Sequence, residues 1–495
     1  MNTVTVDYSR RIAALSPEKR MLLARHLKQR GREFNSFPLS FAQQRLWFID
    51  QLEPGNPAYN MPAAVRYKGT LDIAALEKAI AEIFRRHETV RTRFADVDGE
   101  PVQIVMPVQR RSLQVLDLSH LPEHDRESEA ARLAQEEAHR PFDLSQGPML
   151  RASVLKLADD EHVLLLTMHH IASDGWSMNI LLRELSALYG AFALGQPSPL
   201  AELPIQYADF AQWQRSRMQG EALAQHLNYW TTQLAGAPEV LDLPAARRRP
   251  AVQSYRGANH TFLLSEETSQ RIKAIARDQD ATLFMALLSA FKVLLFCSTG
   301  QQDLVVGSPL AGRHHLQTEG LIGFFVNMLV LRTRMDGSCS FNELLALVRE
   351  TTLEAYAHQD VPFERLVDAL RVERGAGHHP LFQVVFTTQN SLPGDETDNA
   401  TQPQGVMQPF GIEIVSTPYD LILDMGAIGE RIGGSLSYNI DLFDAATAAS
   451  LAQLYGRLLD EIVSDPAKPI NELPLFLERL PSATRTQLQA EEFDF

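Results

Sequence analysis

The sequence predicts an α+β protein built from two similar halves. Helical stretches alternate with short runs of strand-forming residues along most of its 495 residues, a length that suits two or more domains. In each half a strand leads into a helix that contains the tripeptide LYG, at 188–190 and again at 454–456. We take the two copies as a sign of internal duplication.

The composition indicates a globular chain with a large core. Apolar residues make up 45% and charged residues 22% of the sequence, and the formal net charge is −15 at pH 7. The negative charge argues against nucleic acid or an anionic membrane as the main ligand, because both are bound by basic faces. The most apolar stretch, 281–296, contains Lys292 and is shorter than the roughly 20 residues of a membrane span. With only Cys297 and Cys339, the chain is expected in a reducing, cytoplasmic setting.

The elements of the first half can be assigned in order. Residues 12–31 predict an amphipathic helix that is either docked on the domain or part of a linker. After it, the pattern predicts a helix at 71–87, a hairpin at 90–106 with its turn at Asp98 and Gly99, a strand at 162–170, a helix at 176–195 and a helical connector at 204–230.

The second half repeats this alternation of helices and strands. Its predicted elements are a helix at 281–299, a buried strand at 303–309, a long strand at 321–335, a helix at 341–358, strands at 382–390 and 433–441, and a helix at 445–464. No glycine-rich phosphate loop is present in the sequence. The histidine pairs at 314–315 and 378–379 lack a metal-ligand spacing, so we expect them in solvated loops.

The strongest chemical signal is the segment HHIASDG at 169–175. It follows a buried strand and precedes a helix, where rigid elements hold reactive side chains in place. Because neighbouring strand residues point to opposite faces, we expect only one of His169 and His170 to face a cleft. Asp174 is either a base or the fixed partner of an arginine, and the N–H of Gly175 is a candidate oxyanion donor. The alternative is a plain histidine turn with a helix-capping aspartate.

Seven segments together resemble the motifs of condensation domains of nonribosomal peptide synthetases, from about Phe37 to about Leu475. In chain order they are SFAQQRL, RHE with VRTRF, HHIASDG, YADFAQW, IGFFVN, HQDVPFE and HPLFQ. The last departs from the family, because Glu373 and Arg374 replace the Arg-Asp that often opens it. The resemblance implies two chloramphenicol-acetyltransferase-like lobes that form a V-shaped pseudodimer with a central tunnel.

The resemblance also implies a division of the chain. We expect an N-terminal helix or linker at 1–36, a first lobe at 37–212 and a second lobe at 213–475; these lobes are called the first half and the second half below. Residues 476–495 are expected to begin a linker toward a missing adenylation domain. The chain would then be the excised first domain of a larger synthetase.

The family joins a donor acyl thioester to the α-amine of a carrier-bound aminoacyl thioester, forming an amide. The resemblance implies that both substrates arrive on phosphopantetheine arms of carrier proteins, with acyl-coenzyme A as another donor source, and that no cofactor or metal is bound. We expect His170 to act on the amine as base or positioning group, His169 to be secondary, and Asp174 to form a structural ion pair with Arg91. Gly175 completes the motif.

The motifs are compatible with more than one donor. The preferred expectation is a fatty acyl donor that starts a lipopeptide, and the alternative is a peptidyl donor during elongation. A noncatalytic carrier-docking module and a free-standing acyltransferase that uses a soluble amine are further alternatives. Candidate residues for the substrate tunnel are Phe41, Trp47, Met168, Trp176 and Asn327.

Overall fold

The protein consists of β-sheets with helices packed on them. The computed structural model describes residues 35–109, 112–250, 254–370, 378–389, 406–411 and 417–474. In chain order the elements are β1 (Ser36–Pro38), α1 (Phe41–Leu52), β2 (Asn60–Lys68), α2 (Ile73–Arg86), β3 (Thr92–Val97), β4 (Glu100–Val105), β5 (Gln114–Asp117), α3 (Glu123–His139), β6 (Leu150–Ala158), β7 (Glu161–His169), α4 (Gly175–Ala193), α5 (Tyr207–Arg217), α6 (Gly220–Gln233), β8 (Gly257–Leu263), α7 (Glu266–Asp278), α8 (Leu283–Thr299), β9 (Asp303–Leu310), α9 (Leu316–Glu319), β10 (Asn327–Arg334), α10 (Phe341–Ala357), α11 (Phe363–Leu370), β11 (Val384–Gln389), β12 (Val406–Pro409), β13 (Leu421–Ile428), β14 (Arg431–Asn439) and α12 (Ala445–Ser464).

The sheet of the first half has the strand order β12-β2-β7-β6-β5. Its strand β7 is almost continuously apolar because both of its faces are covered. Leu166 and Met168 pack in one core cluster with residues of α2 and α4, whereas Val163 and Leu165 pack in another with residues of α3. This double cover fixes the end of β7, where the histidine motif begins.

The sheet of the second half has the order β10-β9-β11-β13-β14-β8 and packs against the central helix α8. Every residue of α8 from Met285 to Phe296 is buried, which explains the long apolar stretch in the sequence. Lys292 lies within this run, and its Nζ donates to the carbonyl of Leu331 at 2.8 Å and to Oγ1 of Thr333 at 2.6 Å. Burial lowers the pKa of Lys292 to about 7.

One strand crosses from the second half to the first. β12 pairs antiparallel with β2, from Val406 opposite Lys68 to Pro409 opposite Val65, and so forms the edge of the first sheet. A separate small sheet, β1-β4-β3, carries the chain into α1. The two halves are therefore joined by backbone pairing as well as by side chains.

Most of the predicted elements agree with the observed ones, and the α+β class is confirmed. The hairpin turn has Asp98 at φ 57° and Gly99 at φ 83°, the left-handed conformations that a two-residue hairpin turn requires. The predicted strand at 321–335 is too long, because the observed strand covers only Asn327–Arg334. The predicted helix at 12–31 lies outside the described residues.

Within the described residues, no single helix is long and apolar enough to cross a membrane. The consecutive helices α7 and α8 meet the length and composition only together, as a pair bent by 109°.

Candidate active site

The histidine motif begins where β7 ends. His169 is the last residue of the strand, and His170 opens a short 3₁₀ turn, His170–Ala172, before α4 starts at Gly175. The strand pleat assumed for the two histidines does not apply to His170, because the strand ends at His169. The chain leaves the strand between the two residues, so their rings enter different surroundings.

The ring of His169 is enclosed. Its Nδ1 accepts the backbone N–H of Ile171 at 3.1 Å, and its ring centroid lies 5.6 Å from that of Phe142 and 6.5 Å from that of Tyr59. Burial lowers the pKa of His169 to about 3. The imidazole is therefore neutral at cellular pH, with its proton on Nε2.

The ring of His170 is half-buried and has the opposite tautomer. Its Nδ1 lies 2.9 Å from the carbonyl oxygen of Ser173, which can only accept, so Nδ1 carries the proton. The lone pair of Nε2 is then available to another donor. Burial lowers the pKa of His170; the carboxylate of Asp174 opposes this shift and the guanidinium of Arg45 adds to it. A neutral imidazole with a basic Nε2 can accept a proton.

Asp174 is buried and caps the N-terminus of α4. Its Oδ1 accepts the N–H of Ser177 at 2.8 Å and an N–H of Arg313 at 3.0 Å, and its Oδ2 accepts the N–H of Phe325 at 3.1 Å. Both carboxylate oxygens are thus occupied. The side chains of Asp174 and Arg313 are each only 1% exposed, so this ion pair is buried between the two halves.

The expected pairing of Asp174 with Arg91 is wrong. The Nε of Arg91 donates to the carbonyl of Phe84 at 2.9 Å, its NH1 donates to the carbonyl of Met106, and its NH2 pairs with Glu88 at 3.2 Å. These local partners occupy the guanidinium. The true partner, Arg313, lies in the loop after β9 and outside every motif, so the sequence carried no signal for it.

Arg313 is held by its own loop. Its NH1 donates to the carbonyls of Thr318 at 2.6 Å and Leu321 at 2.7 Å, and its Cζ lies 4.1 Å from the ring centroid of Phe325. The preceding Gly312 has φ 64°, and a Cβ there would lie 2.2 Å from the carbonyl oxygen of Phe325. A glycine is required at this position because the loop approaches Phe325 so closely.

The segment 322–325, here called the bridging segment, belongs to the second half but is bonded to the first. Its backbone partners are His87 Nδ1 for the Ile322 N–H (3.3 Å), Thr89 Oγ1 for the Ile322 carbonyl (2.8 Å), Ser177 Oγ for the Gly323 N–H (3.1 Å), the Tyr207 hydroxyl for the Phe324 carbonyl (2.5 Å) and Asp174 Oδ2 for the Phe325 N–H (3.1 Å). These bonds explain why the predicted long strand does not begin until Asn327.

A charged cluster of the first half supports the bridging segment. Arg86 donates from Nε and NH2 to the carboxylate of Glu184 at 3.1 and 3.0 Å, and the Nε2 of His87 lies 2.8 Å from the same group. Burial alone would raise the pKa of Glu184, but the hydrogen bonds from His87 and Arg86 hold it at about 2. Because the Nδ1 of His87 accepts the Ile322 N–H, its Nε2 must carry the proton donated to Glu184.

Two cavities lie between residues of the two halves. The larger, about 820 Å³, is lined by α1 and α11 among other segments, and the smaller, about 360 Å³, is lined by the bridging segment and α5. Glu364 lines both cavities. In the larger cavity Arg45 reaches Glu364 at 3.8 Å and the Nε2 of His379 at 3.4 Å. Burial, with a smaller contribution from Arg45, lowers the pKa of His379 to about 3.

The structure separates the five tunnel candidates. Phe41 and Trp47 line the larger cavity and Asn327 lines the smaller. Met168 is fully buried in the core cluster that contains residues of α2 and α4. Trp176 donates its Nε1 proton to the carbonyl of Glu319 at 3.0 Å. These two residues thus pack against protein and do not line either cavity.

Gly175 and Asn327 have different surroundings. A Cβ at Gly175 would meet no heavy atom within 4 Å, so the space at the start of α4 is open. The Nδ2 of Asn327 donates to the carbonyls of Gln359 at 2.8 Å and Val361 at 2.7 Å, which fixes the HQDVPFE loop. Across the described parts of the chain, no group of three or more His, Cys, Asp or Glu residues is placed to hold a metal ion.

Comparisons with known proteins cover almost the whole described chain. Residues 34–482 match the condensation-domain family. A linear gramicidin synthase protein from Brevibacillus parabrevis is 49% identical over 455 residues, which are 92% of this chain and 9% of the relative. Phosphinothricin tripeptide synthetase PhsC from Streptomyces viridochromogenes is 40% identical over 481 residues, which are 95% of this chain and 44% of the relative. The chain thus spans less than half the length of these relatives.

Solved structures give the same picture. The X-domain from teicoplanin biosynthesis aligns with a TM-score of 0.80 at 29% identity, covering 88% of this chain and 97% of that one. A holo four-domain nonribosomal peptide synthetase bound to AMP and glycine also has a TM-score of 0.80, at 26% identity, covering 91% of this chain and 34% of that one.

A double-mutant cycle tests the partner of Asp174. Asp174→Asn should lower the free energy of unfolding by about 3–5 kcal/mol, because it leaves a buried guanidinium uncompensated. In urea denaturation, Asp174→Asn and Arg313→Met should show a coupling energy above about 1 kcal/mol, whereas Asp174→Asn and Arg91→Met should be additive to within about 0.5 kcal/mol. Coupling to Arg91 in place of Arg313 would contradict the assignment.

Proposed function

The chain belongs to the condensation-domain family of nonribosomal peptide synthetases, and from this we propose that it joins a peptidyl donor to an aminoacyl acceptor beside His170. Domains of this family are acyltransferases that form amide bonds, and they share the chloramphenicol-acetyltransferase-like pseudodimer fold. The resemblance seen in the sequence is thereby confirmed.

The observation that carries the proposed role of His170 is its tautomer. With Nδ1 donating to Ser173, the basic Nε2 is available to the attacking amine. The amine nitrogen bonds to the thioester carbonyl carbon, the carbon–sulfur bond breaks, and the proton lost by nitrogen passes to the leaving thiolate. Nε2 either carries this proton or holds the amine in place by a hydrogen bond. A thioester is already activated, so positioning alone can supply about 7–11 kcal/mol of the barrier reduction.

The remaining motif residues support His170 in this proposal. Asp174 has both carboxylate oxygens occupied, which favours a structural role over that of a base. His169 backs the site as a neutral buried ring. Gly175 stays the candidate oxyanion donor, because its N–H opens α4 beside free space.

The proposed partners are carrier proteins and a downstream adenylation domain, because the relatives are long synthetases of which this chain matches one part. We propose that the lobes meet near 212–213; the linker predicted at 476–495 lies outside the described residues. Strand β12 belongs to the second half in sequence and to the first sheet by pairing. The cytoplasmic setting stays a prediction.

Two observations favour a peptidyl donor over a fatty acyl donor. The curated relatives are named as synthases of gramicidin and of a tripeptide. In addition, both cavities contain charged groups, with Arg45 in the larger, Arg217 in the smaller and Glu364 in both. Burying a hydrocarbon chain beside these groups would cost part of their solvation, whereas peptide amides can hydrogen-bond to them.

A fatty acyl donor remains the second candidate function. One wall of the larger cavity is apolar and is formed by Trp47, Phe48 and Leu52 of α1, of which Leu52 is 66% exposed. Each methylene buried there would contribute about 0.8 kcal/mol. Acyl-carrier or acyl-coenzyme A thioesters would be the corresponding donors.

His170→Ala should reduce amide formation at least about 100-fold with the fold intact, because the group that accepts or orients the amine is lost. His169→Ala should lose less, since its ring is enclosed away from the free Nε2 of His170. The measurement is product mass after single turnover with loaded donor and acceptor carriers. Equal losses in two well-folded variants would refute this difference.

The pH dependence should show two breaks. The rate falls below about pH 8 because the acceptor amine becomes protonated. A second break should lie below pH 6.5, the ordinary histidine value, because burial lowers the pKa of His170 and the neutral ring is the active form. Activity is thus present above the lowered pKa and is lost as the pH falls through it. A second break at or above pH 6.5 in single-turnover rates would contradict this.

A donor panel separates the candidate functions. With one aminoacyl carrier as acceptor, a dipeptidyl carrier should give amide product at least about tenfold faster than hexanoyl, decanoyl or tetradecanoyl carriers or their coenzyme A thioesters. Product from the fatty donors alone would establish initiation in its place. Absence of product from every donor, with carriers still binding, would leave the noncatalytic docking module.

A further inference from the structure

Phe324 of the bridging segment packs directly on His170. The two ring centroids are 4.8 Å apart and the ring planes meet at 65°, an edge-on contact. Phe324 is half-buried and lines the smaller cavity. His170 is therefore held from two sides, by the carbonyl of Ser173 at Nδ1 and by this phenyl ring.

The backbone of Phe324 is fixed by a short chain of hydroxyl groups from the first half. Its carbonyl accepts the hydroxyl proton of Tyr207 at 2.5 Å, so the Tyr207 oxygen must accept the proton of Ser40 Oγ at 2.8 Å. Tyr207 is only 1% exposed, and a Cβ at Gly323 would lie 2.0 Å from its ring. This close packing leaves the bridging segment little room to shift.

We propose that Phe324 is a positioning residue of the amide-forming reaction: it holds the His170 imidazole in the rotamer that donates to Ser173 and keeps water from one face. The inference rests on the proposed function and extends it to a residue that does not react. Tyr207 acts one step further away, through the carbonyl of Phe324.

The contact has two physical effects. A histidine side chain has two rotatable bonds, and rotamers that lose the Ser173 bond would turn the basic nitrogen away from its place. The ring also excludes water from the imidazole, which adds to the burial that lowers the pKa of His170. The other groups that face this imidazole electrostatically are Asp174, which raises its pKa, and Arg45, which lowers it, while its neutral neighbour His169 carries no charge.

Those charged groups stay in place when Phe324 is shortened. Asp174 is bonded to Ser177 and Arg313, and Arg45 is paired with Glu364. A change in the titration of His170 in a Phe324 variant thus reports water at the ring. A merely structural role of Phe324 would lower stability and leave the titration unchanged.

The test compares Phe324→Ala with Phe324→Leu in the full chain, with loaded carriers as substrates. Phe324→Ala should lower kcat at least about tenfold while the KM for each carrier changes less than about threefold. The lower pH break should also move upward, toward pH 6.5, because the imidazole gains water. Phe324→Leu keeps an apolar cover and should restore kcat to within about threefold of the parent.

Two further variants serve as a control for general loosening of the structure and as a substitute if Phe324→Ala does not fold. Phe284→Ala removes a ring that packs on Phe386 in the core of the second half, outside the bridging segment, so the lower pH break should stay in place. Tyr207→Phe deletes one hydroxyl and covers the case in which Phe324→Ala does not fold. It should lower kcat about threefold to tenfold and move the pH break in the same direction.

The outcomes separate this inference from the proposed function. If Phe324→Ala and Tyr207→Phe keep the parental kcat and pH break while His170→Ala is inactive, the positioning role is wrong and the function stands. If Phe284→Ala moves the break as far as Phe324→Ala, the effect is general loosening and the positioning role is also wrong. If His170→Ala retains the parental rate, the proposed function itself fails.

Discussion

The buried ion pair between Asp174 and Arg313 is the constraint on which the rest of the site depends. It joins the N-cap residue of α4 to a loop of the second half, and both side chains are almost fully removed from water. Either charge buried without the other would cost about 3–5 kcal/mol, so the folded state must bring the two groups together in one arrangement. The bridging segment, bonded to Asp174 at Phe325, is fixed with it. The same segment carries Phe324, whose ring contacts His170. The position of that ring therefore depends on the ion pair four residues further along the chain from His170.

The two adjacent histidines show how much the environment decides. In His169 the Nδ1 accepts a backbone N–H, whereas in His170 the Nδ1 donates to a carbonyl, so their basic nitrogens are different atoms. The basic nitrogen of His169, Nδ1, accepts a hydrogen bond within the protein, whereas the basic nitrogen of His170, Nε2, is available to a substrate. The two residues have the same chemistry in solution, and only the end of β7 between them makes the difference.

Features that depend on local sequence could be predicted, and those that depend on distant partners could not. The hairpin at Asp98 and the last helix, 445–464, follow from turn chemistry and helical periodicity alone. That Asp174 forms an ion pair was also predictable, because the motif carries the information. The identity of its partner was not, since Arg91 and Arg313 differ only in where the fold brings them. The same holds for 321–335, whose pattern predicts a single strand. The backbone groups of Ile322 instead form hydrogen bonds with side chains of the first half.

The pairing of β12 with β2 has a consequence for the way such chains are recombined. A cut at the midpoint of the sequence does not cut the molecule in two, because residues 406–409 complete the sheet that the N-terminal portion begins. A chimera that exchanges everything before residue 213 would replace one side of that edge pairing and of the Asp174–Arg313 contact, but not the other. The segments that must be exchanged together are therefore those that contact each other in the fold, although they are separated in the sequence. A compatible swap takes β2, β12, α4, the loop with Arg313 and the bridging segment from the same parent.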